Sequence, residues 1–195
     1  MGALVAAAVV AVVVRATLVD FYHIGSESMQ PLLTPGDGIM VDRTVYRGGE
    51  VRRGDVVVFD GRGSFLPYHR PDAVDALLRA LRLTGDDTSY VKRVIAVAGD
   101  TLECCDADGF LLLNGEPLDE PYVYGGDAAS DIDFVATVPE GRVWVMGDHR
   151  SASADSRALL GAPGGGMIAV DRVLGRVSSV IWPLDRRAAV PREDG

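Results

Sequence analysis

Two serines one residue apart, Ser26 and Ser28, lie in the run Gly25-Ser26-Glu27-Ser28-Met29-Gln30-Pro31, which leads into a turn. A serine hydroxyl can attack a carbonyl once a neighbouring base takes its proton. Histidine is the usual base, and the chain has three, His23, His69 and His149. A Ser/His/Asp triad can be drawn from any serine, any of these and many aspartates, so that assignment carries little information. The tight spacing Gly147-Asp148-His149 keeps it open. Metal chemistry has less support, because the histidines are far apart and show neither HxxxH nor HExxH spacing. Nucleotide chemistry has less still. No Walker-type phosphate loop or GxGxxG is present, and Gly164 to Gly166 lack the strand before and helix after that an anion site requires.

The chain that must position these groups has 195 residues, enough for one functional unit with a small appendage. Hydrophobic residues make up 48% and charged residues 24%, with 23 Gly and 10 Pro. That mixture excludes wholesale disorder, collagen and a polytopic membrane bundle. The net charge is -9, from 19 Lys+Arg against 28 Asp+Glu. Such a balance repels a phosphate backbone, so no nucleic acid is expected as a partner. Two cysteines, adjacent at Cys104 and Cys105, exclude a disulfide scaffold and an all-cysteine zinc site. An adjacent-residue disulfide is uncommon, so free or intermolecularly paired thiols are at least as good a reading.

Gly2 to Val14 carry no polar side chain, and after Arg15 the apolar character resumes to Val19. Read as one helix, Gly2 to Val19 spans roughly 27 Å, just enough for a thin bilayer, with Arg15 near one end where it can snorkel. A basic start and a small-x-small cleavage site are both missing, so a removed leader fits poorly. A buried helix with no polar face would need more protein around it than this chain supplies. The expectation is an uncleaved single-pass anchor over residues 1–20. From Phe21 onward, short runs rich in Val, Ile, Phe and Tyr alternate with Gly, Pro and Asp, predicting a mostly β body. These runs are GIMV, DVVVFD, YVKRVIAVAGD, GFLLLNG, RVWVMGD and IAVDRVLGRVSSVIW. Asp72 to Leu83 is the exception, an amphipathic helix by its spacing, fit to pack on the sheet or to lie at a membrane interface. Asn114-Gly115 predicts a hairpin turn, and the polar end RRAAVPREDG is expected to fray.

The serine cluster does not stand alone. GSESMQPLLTPGDGIMVDR resembles the serine box of the bacterial type I signal peptidases, S-x-S-M-x-P followed by a GD turn and a strand. RRGDVVVFD at Arg52 to Asp60 is similar to the family's RGD strand, YVKRVIAVAGD at Tyr90 to Asp100 to its lysine box, and GDHRSASADSR at Gly147 to Arg157 to its GDNRxxSxDSR box. Four boxes in the family order, behind an N-terminal apolar segment, cover the chain from about Gly2 to Trp182.

The resemblance implies a serine endopeptidase, anchored in the cell membrane with its catalytic part on the extracytoplasmic side, that removes signal peptides from exported preproteins. Ser28 corresponds to the nucleophile and Lys92 to the general base. Ser26 matches an oxyanion-hole residue and Ser153 the residue that orients the lysine. Asp155 and Arg157 match a supporting ion pair, with Asp148 and Arg150 beside them. The implied fold is a β-rich, partly open barrel of residues 21–102 and 139–183. A small inserted β subdomain follows at 103–138 and a polar tail at 184–195. No cofactor or metal is needed, and the chain is expected to work as a monomer on signal peptides at the bilayer. Ile24, Met29 and Ile95 are candidates for the substrate pockets. Three positions depart from the family pattern: His149 replaces Asn, Glu27 a small residue, and Ala98 a Pro.

The base itself poses a physical requirement. A lysine at its ordinary pKa of about 10.4 is almost wholly charged at neutral pH and cannot accept a proton, so Lys92 must be buried in apolar surroundings that push its pKa down. Outside this context a lysine in VKRV belongs on a solvated strand face. Two rivals remain: a tethered binding protein that kept the scaffold, disfavoured by an intact Ser28 and Lys92, and a self-cleaving repressor peptidase, disfavoured by an apolar segment where a DNA-binding domain would stand.

Overall fold

The computed structural model describes residue 2, residues 18–66 and residues 88–192. Among them are twelve strands: β1 Val19–His23, β2 Gly38–Asp42, β3 Val56–Asp60, β4 Ser89–Val97, β5 Thr101–Cys104, β6 Leu111–Leu113, β7 Glu116–Pro117, β8 Phe134–Thr137, β9 Arg142–Met146, β10 Ile168–Ala169, β11 Val173–Trp182 and β12 Ala188–Ala189. All regular helix outside residue 2 is four single 3₁₀ turns among the described residues. The body is mostly β, as the sequence predicts.

The large sheet runs β1-β2-β11-β3-β4-β9-β10, with β12 added beside β11. Its centre is β3, VVVFD, whose five residues are all buried because strands flank it on both edges and apolar clusters cover both faces. Alternation sends Val56 and Val58 into one cluster with Ile24, Met29, Leu33 and Ile39, and Val57 and Phe59 into a second with Val94, Val143 and Val145. The small sheet, β7-β6-β5-β8, closes a third cluster over Ile95, Leu102 and Trp144, where the Trp144 ring stacks on Phe134 at 5.1 Å. The Asn114-Gly115 turn forms as predicted between β6 and β7. Both residues are at positive φ (55° and 86°), and the Asn114 side chain bonds back to Thr101 N–H and Asp100.

The nine residues of β4 serve two neighbours in succession. Ser89 to Arg93 pair with β3, and Arg93 to Val97 pair with β9. Among the described residues, the edge of Ser89 to Lys92 that faces away from β3 therefore has no strand on it. The outer edge of β1, the last strand of the large sheet, is in the same condition.

Several expectations change. Val19, counted as the end of the apolar segment, opens β1 instead, and the next residue, Asp20, is buried and paired with Arg43. The rest of that segment and the helix expected over Asp72 to Leu83 lie outside the described residues. Among the described residues no helix is long and apolar enough to cross a membrane. The tail does not fray at its start: Ala188 and Ala189 pair with β11, Val190 is buried, and Arg192 bonds to Asp55. IAVDRVLGRVSSVIW divides into β10 and β11 around a 3₁₀ turn at Val170–Arg172. Cys104 and Cys105 are joined to each other, with Cys104 in the small-sheet core and Cys105 packed on it.

Candidate active site

The chain leaves β1 at His23, turns through Gly25 to Met29, and is tied back by Ile24 N–H to Asp37 O and by Leu33 N–H to Met29 O. Met29 and Leu33 anchor this turn in the core at 2% and 0% exposure, which holds Ser28 against the sheet. Lys92 approaches from β4, opposite Val57. The two are 64 residues apart in sequence, yet Lys92 Nζ donates to Ser28 Oγ at 2.6 Å. Ser28 is 6% exposed and Lys92 4%. Ser26 Oγ lies 3.2 Å from Ser28 Oγ. A cleft of about 250 Å³ opens on this cluster.

Burial is the largest influence on the Lys92 amine, because an ammonium loses its hydration there, and it pushes the pKa down to about 8. The carboxylates of Asp155 and Asp148 pull the other way, and the Arg157 guanidinium adds to the depression. With a pKa of about 8, roughly a tenth of the lysine is free amine at pH 7. That is a usable general base, some two orders of magnitude more populated than in water.

The charged residues form the floor beneath the dyad. Asp155 accepts from Arg157 Nε at 2.9 Å and Nη2 at 2.8 Å, and from the Gly147 N–H at 3.0 Å. Burial works against the Asp155 carboxylate, but Arg157 outweighs it and holds the pKa below the ordinary carboxylate range. Asp148 pairs with Arg93, not with Arg150: Arg93 Nε and Nη2 donate to its two oxygens at 2.8 and 2.7 Å, and both side chains are fully enclosed. Arg150 takes Glu120 as its ion partner and donates also to Gly147 O and Ala129 O. The Arg93 guanidinium lies 3.9 Å over the ring of Tyr122.

Of the candidates read from sequence, Ser26, Ser28, Lys92, Ile24 and Met29 all line the one cleft. Ile95 does not. It is buried in the small-sheet cluster, because by that point β9 has covered the edge of β4. Ser153 is near the dyad, since a side chain on Gly147 would touch both Ser153 Oγ and Ser28 O. Its buried hydroxyl acts on the Asp155 carboxylate and makes no well-formed hydrogen bond, so the contact expected to orient the lysine is not made here. His149 does not contact the Ser28 hydroxyl through its ring; Nδ1 faces the Glu27 carbonyl oxygen at 3.3 Å. His23, one of the three histidines considered as a base, lines the cleft; sequence reasoning missed Ser89, Tyr90 and Val91, which line it too, and Arg93. Ser89 carries no motif signal; Tyr90, Val91 and Arg93 stood in YVKR but read only as neighbours of Lys92. Among the described residues there is no cluster of side chains that could hold a metal ion.

The chain is similar to proteins already known. Signal peptidase I of Mycobacterium tuberculosis is 39% identical, over 94% of this chain and 73% of its own. Signal peptidase I of Bacillus licheniformis is 32% identical, over 94% of this chain and 87% of its own. A solved signal peptidase I from Enterococcus faecalis V583 aligns with a TM-score of 0.43 at 25% identity, covering 66% of this chain and 97% of that one. Residues 1–182 match the family described as signal peptidase, peptidase S26, and the chain belongs to that family.

Proposed function

We propose that the protein is a membrane-anchored serine endopeptidase that cleaves signal peptides from exported preproteins, with Ser28 as nucleophile and Lys92 as general base. The family is one of Ser/Lys serine peptidases. The observation that carries the assignment is the 2.6 Å contact between a buried amine and a buried hydroxyl.

In the free-base form the Lys92 amine accepts the Ser28 proton as Oγ attacks the scissile carbonyl. The oxyanion that forms is met by the Ser26 hydroxyl and the Ser28 N–H. Lys92, now an ammonium, returns its proton to the departing amine. Water then attacks the acyl-Ser28 ester with the amine again acting as base, and the leader is released as a carboxylate. Ser26 Oγ, 3.2 Å from Ser28 Oγ, is close enough to reach an oxygen bonded to the attacked carbon.

Substrate binding uses the edges of β1 and of Ser89 to Lys92 that carry no strand among the described residues. An extended peptide lying between the end of β1 and Ser89 to Lys92 of β4 gains main-chain hydrogen bonds without regard to sequence. Ile24 and Met29 bound the cleft and favour small side chains beside the scissile bond. The apolar run of Gly2 to Val14 supports attachment to the membrane.

The test is cleavage of a purified preprotein in detergent by the full chain and by Ser28→Ala and Lys92→Ala. Both substitutions are expected to abolish cleavage. Loss of cleavage on substituting His149 together with retention in Lys92→Ala would replace this reading with a triad.

A further inference from the structure

The peptide unit joining Glu27 to Ser28 has two ends. Its N–H belongs to Ser28 and is the backbone donor assigned to the oxyanion; its C=O belongs to Glu27. A trans peptide is planar with these two groups pointing in opposite directions, so fixing one end aims the other. Drawing electron density toward the oxygen also makes the N–H a stronger donor.

The oxygen end accepts twice, from the Gln30 N–H of its own turn at 2.9 Å and, from across the site, from His149. Its Nδ1 lies 3.3 Å from Glu27 O, and since a carbonyl only accepts, the imidazole donates there with its proton on Nδ1. The main-chain N–H of the same residue donates to Ser28 O at 3.1 Å. One residue thus grips both peptide planes that flank the nucleophile. The ring is itself backed by Tyr124, stacked on it with centroids 4.0 Å apart and planes 21° off parallel. Tyr124 is fixed in turn by its N–H, which donates to Asp148 O at 2.9 Å.

We propose that His149 is a positioning residue that aims and polarises the Ser28 N–H toward the oxyanion, with Tyr124 as the backing for its ring. The role is distinct from proton transfer, which Lys92 performs at Ser28 Oγ, and it rests on the serine/lysine reading of the site. It also gives a physical meaning to a histidine in a box where the resembling family usually carries asparagine. The asparagine amide branches from Cγ as Nδ1 does, so it can donate to the same carbonyl but cannot stack as an imidazole does.

Three substitutions separate the parts. H149F keeps a ring for Tyr124 and removes the donor; H149N keeps a donor and removes the ring; Y124A removes the backing without touching His149. Each is assayed on a peptide with a small-residue cleavage site for kcat and KM. Each is then assayed for inhibition by a peptide aldehyde, which forms a tetrahedral oxyanion on Ser28, and by the matching peptide alcohol, which does not. Loss of a whole oxyanion donor costs about 10²- to 10³-fold, and a misaimed one costs less. H149F is expected to lose about tenfold in kcat and in aldehyde affinity, with KM and alcohol affinity unchanged. H149N is expected to stay within about threefold of the unchanged chain, and Y124A to lose about threefold in kcat. The proposal is overturned by unchanged kcat in H149F, by equal loss of aldehyde and alcohol binding, or by H149N being as poor as H149F. Should H149F fail to fold, unchanged kcat in Y124A overturns it instead. Ser28→Ala and Lys92→Ala run alongside: if they still cleave, the serine/lysine reading itself fails. If they are dead and H149F is fully active, only the role of His149 fails.

Discussion

Replacing Gly147 by alanine perturbs the nucleophile without touching any reacting group. A Cβ at this position would stand 2.4 Å from Ser28 O, 2.3 Å from Ser153 Oγ and 2.6 Å from Ser153 Cβ, where ordinary contact begins at 3.4 Å. Something must move by about 1 Å. Gly147 itself is pinned, its N–H by Asp155 and its carbonyl by Arg150. The Ser153 hydroxyl can rotate away, because no well-formed hydrogen bond holds it. The backbone of Ser28 cannot, so the displacement falls on the nucleophile, whose Oγ leaves the 2.6 Å contact with Lys92. A misplacement of about 1 Å can cost about 100-fold in rate, and overpacking of this size destabilises a fold by about 1 to 3 kcal/mol. The expected outcome is a fall in kcat of about 100-fold on a peptide substrate, with KM changed far less and a cooperative melt retained. Circular dichroism and steady-state kinetics on the same preparation decide it. A kcat within a factor of two of the unchanged chain would refute the claim that the position of the Ser28 main chain limits turnover.

Two further outcomes are expected. Asp148→Asn leaves the enclosed Arg93 guanidinium with half of its partner. Denaturant unfolding should show a loss of about 3 to 5 kcal/mol. Because the Asp148 carboxylate holds the Lys92 pKa up, the rise of kcat/KM with pH should also move to lower pH in this variant; a shift to higher pH would contradict the assigned field. Truncation after residue 187 removes the buried Val190 and the Arg192 bond to Asp55, and should lower stability by about 2 to 4 kcal/mol while leaving the pH dependence of kcat unchanged. An unaltered melting temperature would show the tail to be as loose as its composition suggests.

The legible part of this protein was the part written in local pattern. Val-rich runs bounded by turn residues gave most strands, and Asn114-Gly115 gave its hairpin, because alternation and turn chemistry act over a few residues. The pairing of Ser28 with Lys92 was legible only through resemblance, since no property of VKRV alone separates a buried lysine from a solvated one. Other errors have physical causes. Val19 reads as a continuation of an apolar helix until β2 offers it a partner. Ala188 and Ala189 have little strand propensity and form β12 because β11 presents an open edge. Ile95 shares the lysine box but is turned to a different core by the arrival of β9. The partners of Asp148 and Arg150, which are Arg93 and Glu120, were not assigned from sequence, because they depend on which chains cross and spacing within one box does not encode that.

Lys92 is the only lysine in the sequence, which makes its charge state directly observable. Protein grown on lysine labelled with ¹³C at the ε carbon should show one lysine signal, to be followed by NMR from pH 6 to pH 11 in the intact chain. A group depressed by burial should titrate with a midpoint of about 8, so that free amine is already present where the enzyme works. A midpoint near 10.4, the value in water, would show a solvated ammonium beside Ser28 and leave the proposed attack without a base.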